Sequence, residues 1–199
     1  MIFKVLKENE IKNYIELIID LRLDEFKLFP YLYSGTRESE LKYLSSYAEQ
    51  KNSFLVLVYQ EEEICGVATG FPLLAGENLG LSACKLFEEN KINPNKYYYI
   101  GEIFILKKFR GKGLLRKFFE LLEMEIKSRG YLNICFLTVY REEDHPLKPE
   151  NYVSMDIILK NSGFVKSNMK TEIQWPTVLP NSEVELRANQ LTYWTKELV

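Results

Sequence analysis

The sequence predicts an α/β protein folded as a single domain. Three observations carry that prediction. Short runs of β-forming residues alternate with amphipathic helical segments along the chain. The richest β-forming run, residues 97–106 (YYYIGEIFIL), feeds straight into a glycine-containing turn and then a helix. Finally, 199 residues with 46% apolar side chains can bury one sizeable core without a disulfide or structural metal.

Each element has a local reason. Residues 2–6 read as a short strand. From Glu10, the apolar residues Ile11, Tyr14, Ile15, Ile18 and Leu21 recur at helical spacing, and Pro30 closes that helix. A turn-rich loop (31–36) leads to a second helix over 38–50. Residues 53–59 and 64–69, joined by a charged turn, read as a β-hairpin. Residues 71–96 hold Pro72, Gly76, Gly80 and Asn93-Pro94-Asn95, and read as an insertion with a short helix over 81–89. Residues 97–106 form a central strand. Leu114, Leu115, Phe118, Phe119, Leu122 and Ile126 mark one face of the next helix, which ends near Gly130. A buried strand (133–140), a polar loop, and a helix over 152–161 stopped by Ser162-Gly163 follow. Two strands, 164–175 and 190–198, complete the chain.

Composition excludes several function classes. Lys and Arg number 26 against 28 Asp and Glu, a net charge of −2, which argues against a dedicated nucleic-acid binder. Three cysteines (Cys65, Cys84, Cys135) and one histidine (His145) stand far apart without zinc-ligand spacing, so no metal is expected. An odd thiol count suits a reducing compartment. The amino terminus lacks a signal peptide's apolar core, and no apolar run is long enough to span a bilayer. The expectation is a cytoplasmic protein without membrane or nucleic-acid partners. A Ser-His-Asp or Cys-His centre would have to rest on His145 alone.

The chemistry-bearing segment is residues 103–119. A strand ends in Lys107-Lys108-Phe109-Arg110-Gly111-Lys112-Gly113, and a helix begins at once. The first amides of such a helix have no intrahelical partners, and the helix dipole adds positive potential there. Glycines let the backbone approach a ligand closely. Together these make a phosphate cradle ringed by Lys107, Lys108, Arg110, Lys112, Arg116 and Lys117. A solvated basic turn is the plainer reading of the same residues. The pattern is neither a P-loop nor a dinucleotide fingerprint, since Arg116 stands where a third glycine would fall.

Ile105 and Phe109-Arg110-Gly111-Lys112-Gly113-Leu114 resemble the pyrophosphate-binding motif of the GNAT superfamily of acyl-CoA-dependent N-acyltransferases. Arg110, Gly113 and Ile105 match its pattern, while Leu115 replaces the final small residue. The order of elements over residues 1–170 parallels that fold, with 171–199 less specific, and the resemblance implies a GNAT-like mixed, twisted β-sheet flanked by helices. The resemblance implies one GNAT-like domain over 1–199 that uses acetyl-CoA as co-substrate and transfers its acetyl group directly to an amine. It implies that acetyl-CoA sits where strands 97–106 and 133–140 splay apart. Backbone groups of Ile103, Phe104 and Ile105 would pair with the pantetheine arm, and a free amide near Phe104 would face the oxyanion. Amides of Arg110, Gly111, Lys112, Gly113, Leu114 and Leu115 would hold the pyrophosphate. Asn151 resembles the asparagine that contacts the pantetheine region, or else caps the following helix.

Catalytic residues are less legible. Glu102, beside the implied thioester site, is the candidate base, against the alternative that it simply pairs with a Lys or Arg. Many relatives carry a leaving-group Tyr four residues before the Gly-Phe pair; here that position is Leu159. Tyr152, with Ser154 and Tyr140 behind it, is the candidate substitute. His145, Tyr31, Tyr33 and Phe71 are candidate neighbours of the acceptor. Two rivals remain: a catalytically degenerate CoA-binding protein, and a basic-patch interaction module. The carboxy-terminal strand pairs within the sheet or exchanges with a second copy in a homodimer.

Overall fold

The computed structural model describes residues 1–75 and 77–198, with the side chains of 77–82 outside that description. Gly76 and the side-chain environment of Gly80, read above as part of an insertion, lie outside it too. Seven strands form one sheet: β1 (Ile2–Lys7), β2 (Phe54–Gln60), β3 (Glu63–Pro72), β4 (Tyr97–Ile105), β5 (Asn133–Val139), β6 (Val165–Val178) and β7 (Val184–Glu197). Their order is β1-β2-β3-β4-β5-β7-β6. Every neighbouring pair is antiparallel except β4–β5, which runs parallel.

Five α-helices cover the two faces: α1 (Ile15–Phe26), α2 (Arg37–Glu49), α3 (Glu77–Glu89), α4 (Leu114–Ser128) and α5 (Met155–Asn161). One face packs α1, α2 and α3 through Ile18, Ile19, Leu44, Tyr47 and Phe87. The other packs α4 and α5 through Phe118, Leu122, Ile126 and Leu159. The sheet is the middle of three layers, with a core on each side.

Departures from the sequence reading have local causes. The first helical pattern splits into a 3-10 segment (Glu8–Tyr14) and then α1. The helix after the polar loop starts at Met155, because Ser154 caps it by accepting from the Asp156 amide at 3.2 Å. β6 and β7 run 14 residues each and form a long hairpin. Residues 184–188 are exposed on both faces, so they lack the apolar alternation that marks a strand. β7 sits between β5 and β6 in this chain's own sheet.

One irregularity positions everything else. β4 and β5 pair only from Tyr97 to Ile100 against Asn133 to Phe136. Beyond that point β4 follows β3 through a bulge between Thr69 and Gly70, while β5 follows β7. The two parallel strands therefore diverge and leave a gap between residues 101–105 and 137–139.

Candidate active site in the gap between two parallel strands

The gap exposes backbone first. The Leu106 amide donates to the Cys65 carbonyl on β3 at 2.9 Å. A Cβ placed on Gly66 of β3 would come within 2.7 Å of the Phe104 carbonyl. Phe104 thus directs its backbone toward β3, and strand alternation turns Ile103 and Ile105 toward the gap. The amide available there is that of Ile103 or Ile105 rather than Phe104. The Phe104 ring packs edge-on against Phe26 at 5.6 Å, on the α1 side of the sheet.

At the end of β4 the chain makes a 3-10 turn (Lys107–Phe109) and enters the loop that opens α4. Arg110 Nε donates to the Ile105 carbonyl at 2.8 Å, which fixes the loop to its own strand. Gly111 and Gly113 have φ of +76° and +72°, the left-handed region where a side chain is strained. Gly113 is the N-cap of α4, so no capping side chain competes for the first helical amides. A Cβ on either glycine would meet nothing within 4 Å, which leaves open space before the loop. Among the described residues, no protein acceptor bonds the amides of Gly111, Lys112 or Gly113. Unbonded amides, positive φ and clear space fit a diphosphate. Leu114 is buried in the α4 core and Leu115 packs at its margin, so the bulkier residue is accommodated behind the loop.

The basic ring around the loop is partly neutralised. Lys108 pairs with Glu63, Arg110 with Glu25 at 2.5 Å and Arg116 with Glu120 at 2.9 Å. Half of the six cations are answered by carboxylates, which weakens a polyanion-binding patch more than a local amide cradle.

On the α1 side of the gap, Glu102 is 2% exposed. One carboxylate oxygen meets the Arg22 guanidinium, and the other accepts from the Thr69 hydroxyl at 3.3 Å. Arg22 also pairs with Glu40 of α2, which takes a hydrogen bond from the Tyr33 hydroxyl at 2.7 Å. The guanidinium lies over the rings of Phe26 and Tyr43 at 4.8 and 4.6 Å. The ion-pair alternative is the geometry found for Glu102. Arg22 and Glu40 were not singled out in the sequence, yet a signal was present. Arg22 interrupts the apolar stripe Ile15, Ile18, Ile19, Phe26, and Glu40 that of Leu44, Tyr47, Ala48. A charge on a core-facing stripe needs a buried partner.

Two loops meet over the gap. Arg141, just after β5, donates to the carbonyls of Pro30 and Tyr31 at 2.8 and 3.0 Å. Trp175 Nε1 donates to the Tyr31 carbonyl at 3.1 Å. The Leu32 carbonyl accepts from the Val178 amide at 2.7 Å, and the Ser34 amide donates to the Pro176 carbonyl at 2.8 Å. The β6–β7 hairpin thus holds the α1–α2 loop in place.

Tyr152 packs edge-on against Phe29 of that loop at 4.7 Å, and burial raises its phenol pKa, keeping it a proton donor. Burial, then the Tyr152 neighbour, pushes Tyr31 up to about 12. His145 lies 5.5 Å from Phe29, and burial followed by Arg141 lowers its pKa, favouring neutral imidazole. Asn151 is exposed, and the capping role falls to Ser154. Tyr140 is exposed and donates to Glu142 at 3.0 Å. Phe71 is a core residue between Tyr47 and Tyr99. Leu159 is fully buried in the core cluster that also holds α4 residues Phe118, Leu122 and Ile126. Among the described residues, no group of His, Cys, Asp and Glu could hold a metal ion.

Comparison with known proteins agrees with this geometry. No curated protein matches the chain in sequence. Several solved structures share its fold across its length. A Streptococcus mutans protein is 12% identical, with all of each chain covered and a TM-score of 0.61. A GNAT-family acetyltransferase from Streptococcus pneumoniae is 13% identical over all of each chain, with a TM-score of 0.58. An N-acetyltransferase from Staphylococcus aureus is 13% identical over 100% of this chain and 98% of its own, with a TM-score of 0.57. The family model described as "Acetyltransferase (GNAT) family" matches residues 16–147, which take in α1, the motif strand, the loop and α4. With two thirds of its length matched and the strand gap and amide loop in place, the chain belongs to the GNAT acetyltransferase family.

Proposed function

We propose that this protein is a cytoplasmic N-acetyltransferase. It moves the acetyl group of acetyl-CoA directly onto an amine of a small molecule or peptide, in a ternary complex. The observation that carries the reading is the loop 110–115 placed at the mouth of the β4–β5 gap. It combines two left-handed glycines with open space around them, amides without a protein acceptor, and the Arg110–Ile105 tie. Acetyl-CoA, the family's co-substrate, fits this backbone: the amides of 111–115 take the diphosphate without that of Arg110, expected among them but donating to the Lys107 carbonyl at 3.3 Å, and Ile103 with Ile105 offer strand-like pairing to the pantetheine arm. The amide of Ile103 or Ile105 that faces the gap supplies oxyanion stabilisation.

The acceptor enters beneath the two loops that meet over the gap. Two carboxylates share one guanidinium in the Glu40–Arg22–Glu102 cluster, leaving one formal negative charge under that entrance. This charge favours an ammonium group, and Glu102 receives its proton through water, since both of its oxygens already have partners. Tyr152 protonates the departing thiolate. The reading includes no metal, nucleic acid or membrane partner, and a homodimer remains compatible with it.

Incubating the protein with acetyl-CoA and a panel of polyamines, amino acids, aminoglycosides and peptides tests the proposal, with thiol release and acetylated product mass as readouts. Product with at least one amine supports it. Leu159 in the core and Glu102 in an ion pair favour a second reading, a CoA-binding protein without transferase activity. Tight CoA binding without product across the panel would establish that second reading instead.

A further inference from the structure

The last turn of α1 sends three side chains toward the motif strand and its loop. Arg22 reaches Glu102 on β4, Phe26 packs on Phe104, and Glu25, between them in sequence, reaches the cofactor loop. The side chain of Glu25 is 10% exposed, and its Oε2 accepts from Arg110 Nη2 at 2.5 Å. Arg110 has its Nε committed to the Ile105 carbonyl. Glu25 therefore fixes the far end of a guanidinium whose near end is already tied, and a guanidinium held at two points cannot swing.

We propose that Glu25 is a positioning residue for the cofactor loop, holding Arg110 in the conformation that lets the loop present its amides. The inference rests on the reading of that loop as a CoA diphosphate site. Nothing in the loop's own sequence requires this carboxylate. It comes from a helix 85 residues away along the chain.

The opposite effect is conceivable on charge alone, because a carboxylate near a diphosphate repels it. Positioning dominates here because Glu25 and Arg110 neutralise each other, whereas the diphosphate is held by uncharged amides. Removing Glu25 then leaves Arg110 attached at one point only.

Titration gives an independent readout. Burial raises the Glu25 carboxyl above its ordinary value, Arg110 opposes that shift, and Asp24 on the same helix adds to it. As pH falls through this raised value, Glu25 takes up a proton and the charge-assisted bond to Arg110 weakens.

Calorimetric titration with dephospho-CoA tests the proposal, because that ligand lacks the 3′-phosphate monoester, which itself titrates near about pH 6. Wild type should bind at pH 7 and lose affinity as the pH falls through the raised value of Glu25. Glu25→Ala should bind about tenfold more weakly at pH 7, the loss of one charge-assisted hydrogen bond. Glu25→Gln, which keeps an acceptor for Arg110, should fall between the two and show a flat pH profile. A thermal midpoint close to wild type in either variant separates loop positioning from general unfolding.

If both variants bind as tightly as wild type, or more tightly, with the same pH profile, Glu25 has no positioning role while the diphosphate site stands. If wild type does not bind at all, the cofactor reading falls and this inference with it.

Discussion

The two ends of the β4–β5 gap are built from different materials. At the cofactor end, one continuous stretch, residues 103–115, supplies almost everything through its backbone. At the acceptor end, Arg22, Glu40, Thr69, Glu102, Arg141, Tyr152 and Trp175 arrive from separate segments and act through side chains. A backbone cradle needs only glycines, a strand end and a helix start. It tolerates changes such as Leu115, which turns into the core margin. A side-chain pocket depends on each partner being present, so it can differ among proteins that share one cofactor site. Family membership therefore speaks for the cofactor and leaves the acceptor to be found.

The largest effect that would sharpen this contrast falls at Arg22. Arg22→Met leaves Glu40 and Glu102 facing each other, nearly fully buried and without a cation. The expected cost is about 3–5 kcal/mol, read as a drop in denaturant midpoint. An unchanged midpoint would mean that the cluster is not the buried core of the acceptor end.

Leu159→Tyr comes next. The position is fully buried, so a phenol there overfills the packing and destabilises by about 1–3 kcal/mol, and no gain in activity is expected. Higher activity in this variant, with stability retained, would show that position 159 can reach the gap. Trp175→Phe is the smallest change. It removes the bond to the Tyr31 carbonyl and should cost about 1 kcal/mol, with the acceptor KM raised and CoA affinity unchanged. Loss of CoA affinity in Trp175→Phe would break the separation between the two ends.

The same contrast explains what the sequence made visible. The loop was readable because its chemistry is local: a β-rich run, Arg110, two glycines and an amphipathic helix follow one another. The strand divergence was expected only through the family resemblance. What opens it is a bulge in β3–β4 pairing and the separate allegiance of β5 to β7, neither of which leaves a mark in composition. Glu102 was placed on the right strand, but its partners lie 80 and 33 residues away and no local pattern names them. Arg22 and Glu40 were detectable as charges on apolar stripes, though their pairing was not. The hairpin β6–β7 was read too short because its distal half is polar on both faces, while its backbone still pairs and reaches the α1–α2 loop.

The central claim is that loop 110–115 is a diphosphate cradle specific to CoA. Thermal unfolding with acetyl-CoA, CoA, ATP and NAD at matched concentrations, on wild type and Gly113→Glu, tests it most directly. A ligand at about 100 times its dissociation constant stabilises by roughly 2.7 kcal/mol, a shift of a few degrees at this chain length. The account predicts a shift with the two CoA species alone. It also predicts that the shift disappears in Gly113→Glu, where a side chain is forced onto left-handed backbone and a negative charge enters the cradle. Equal shifts with all four ligands, no shift with any, or a Gly113→Glu variant that responds like wild type would contradict it.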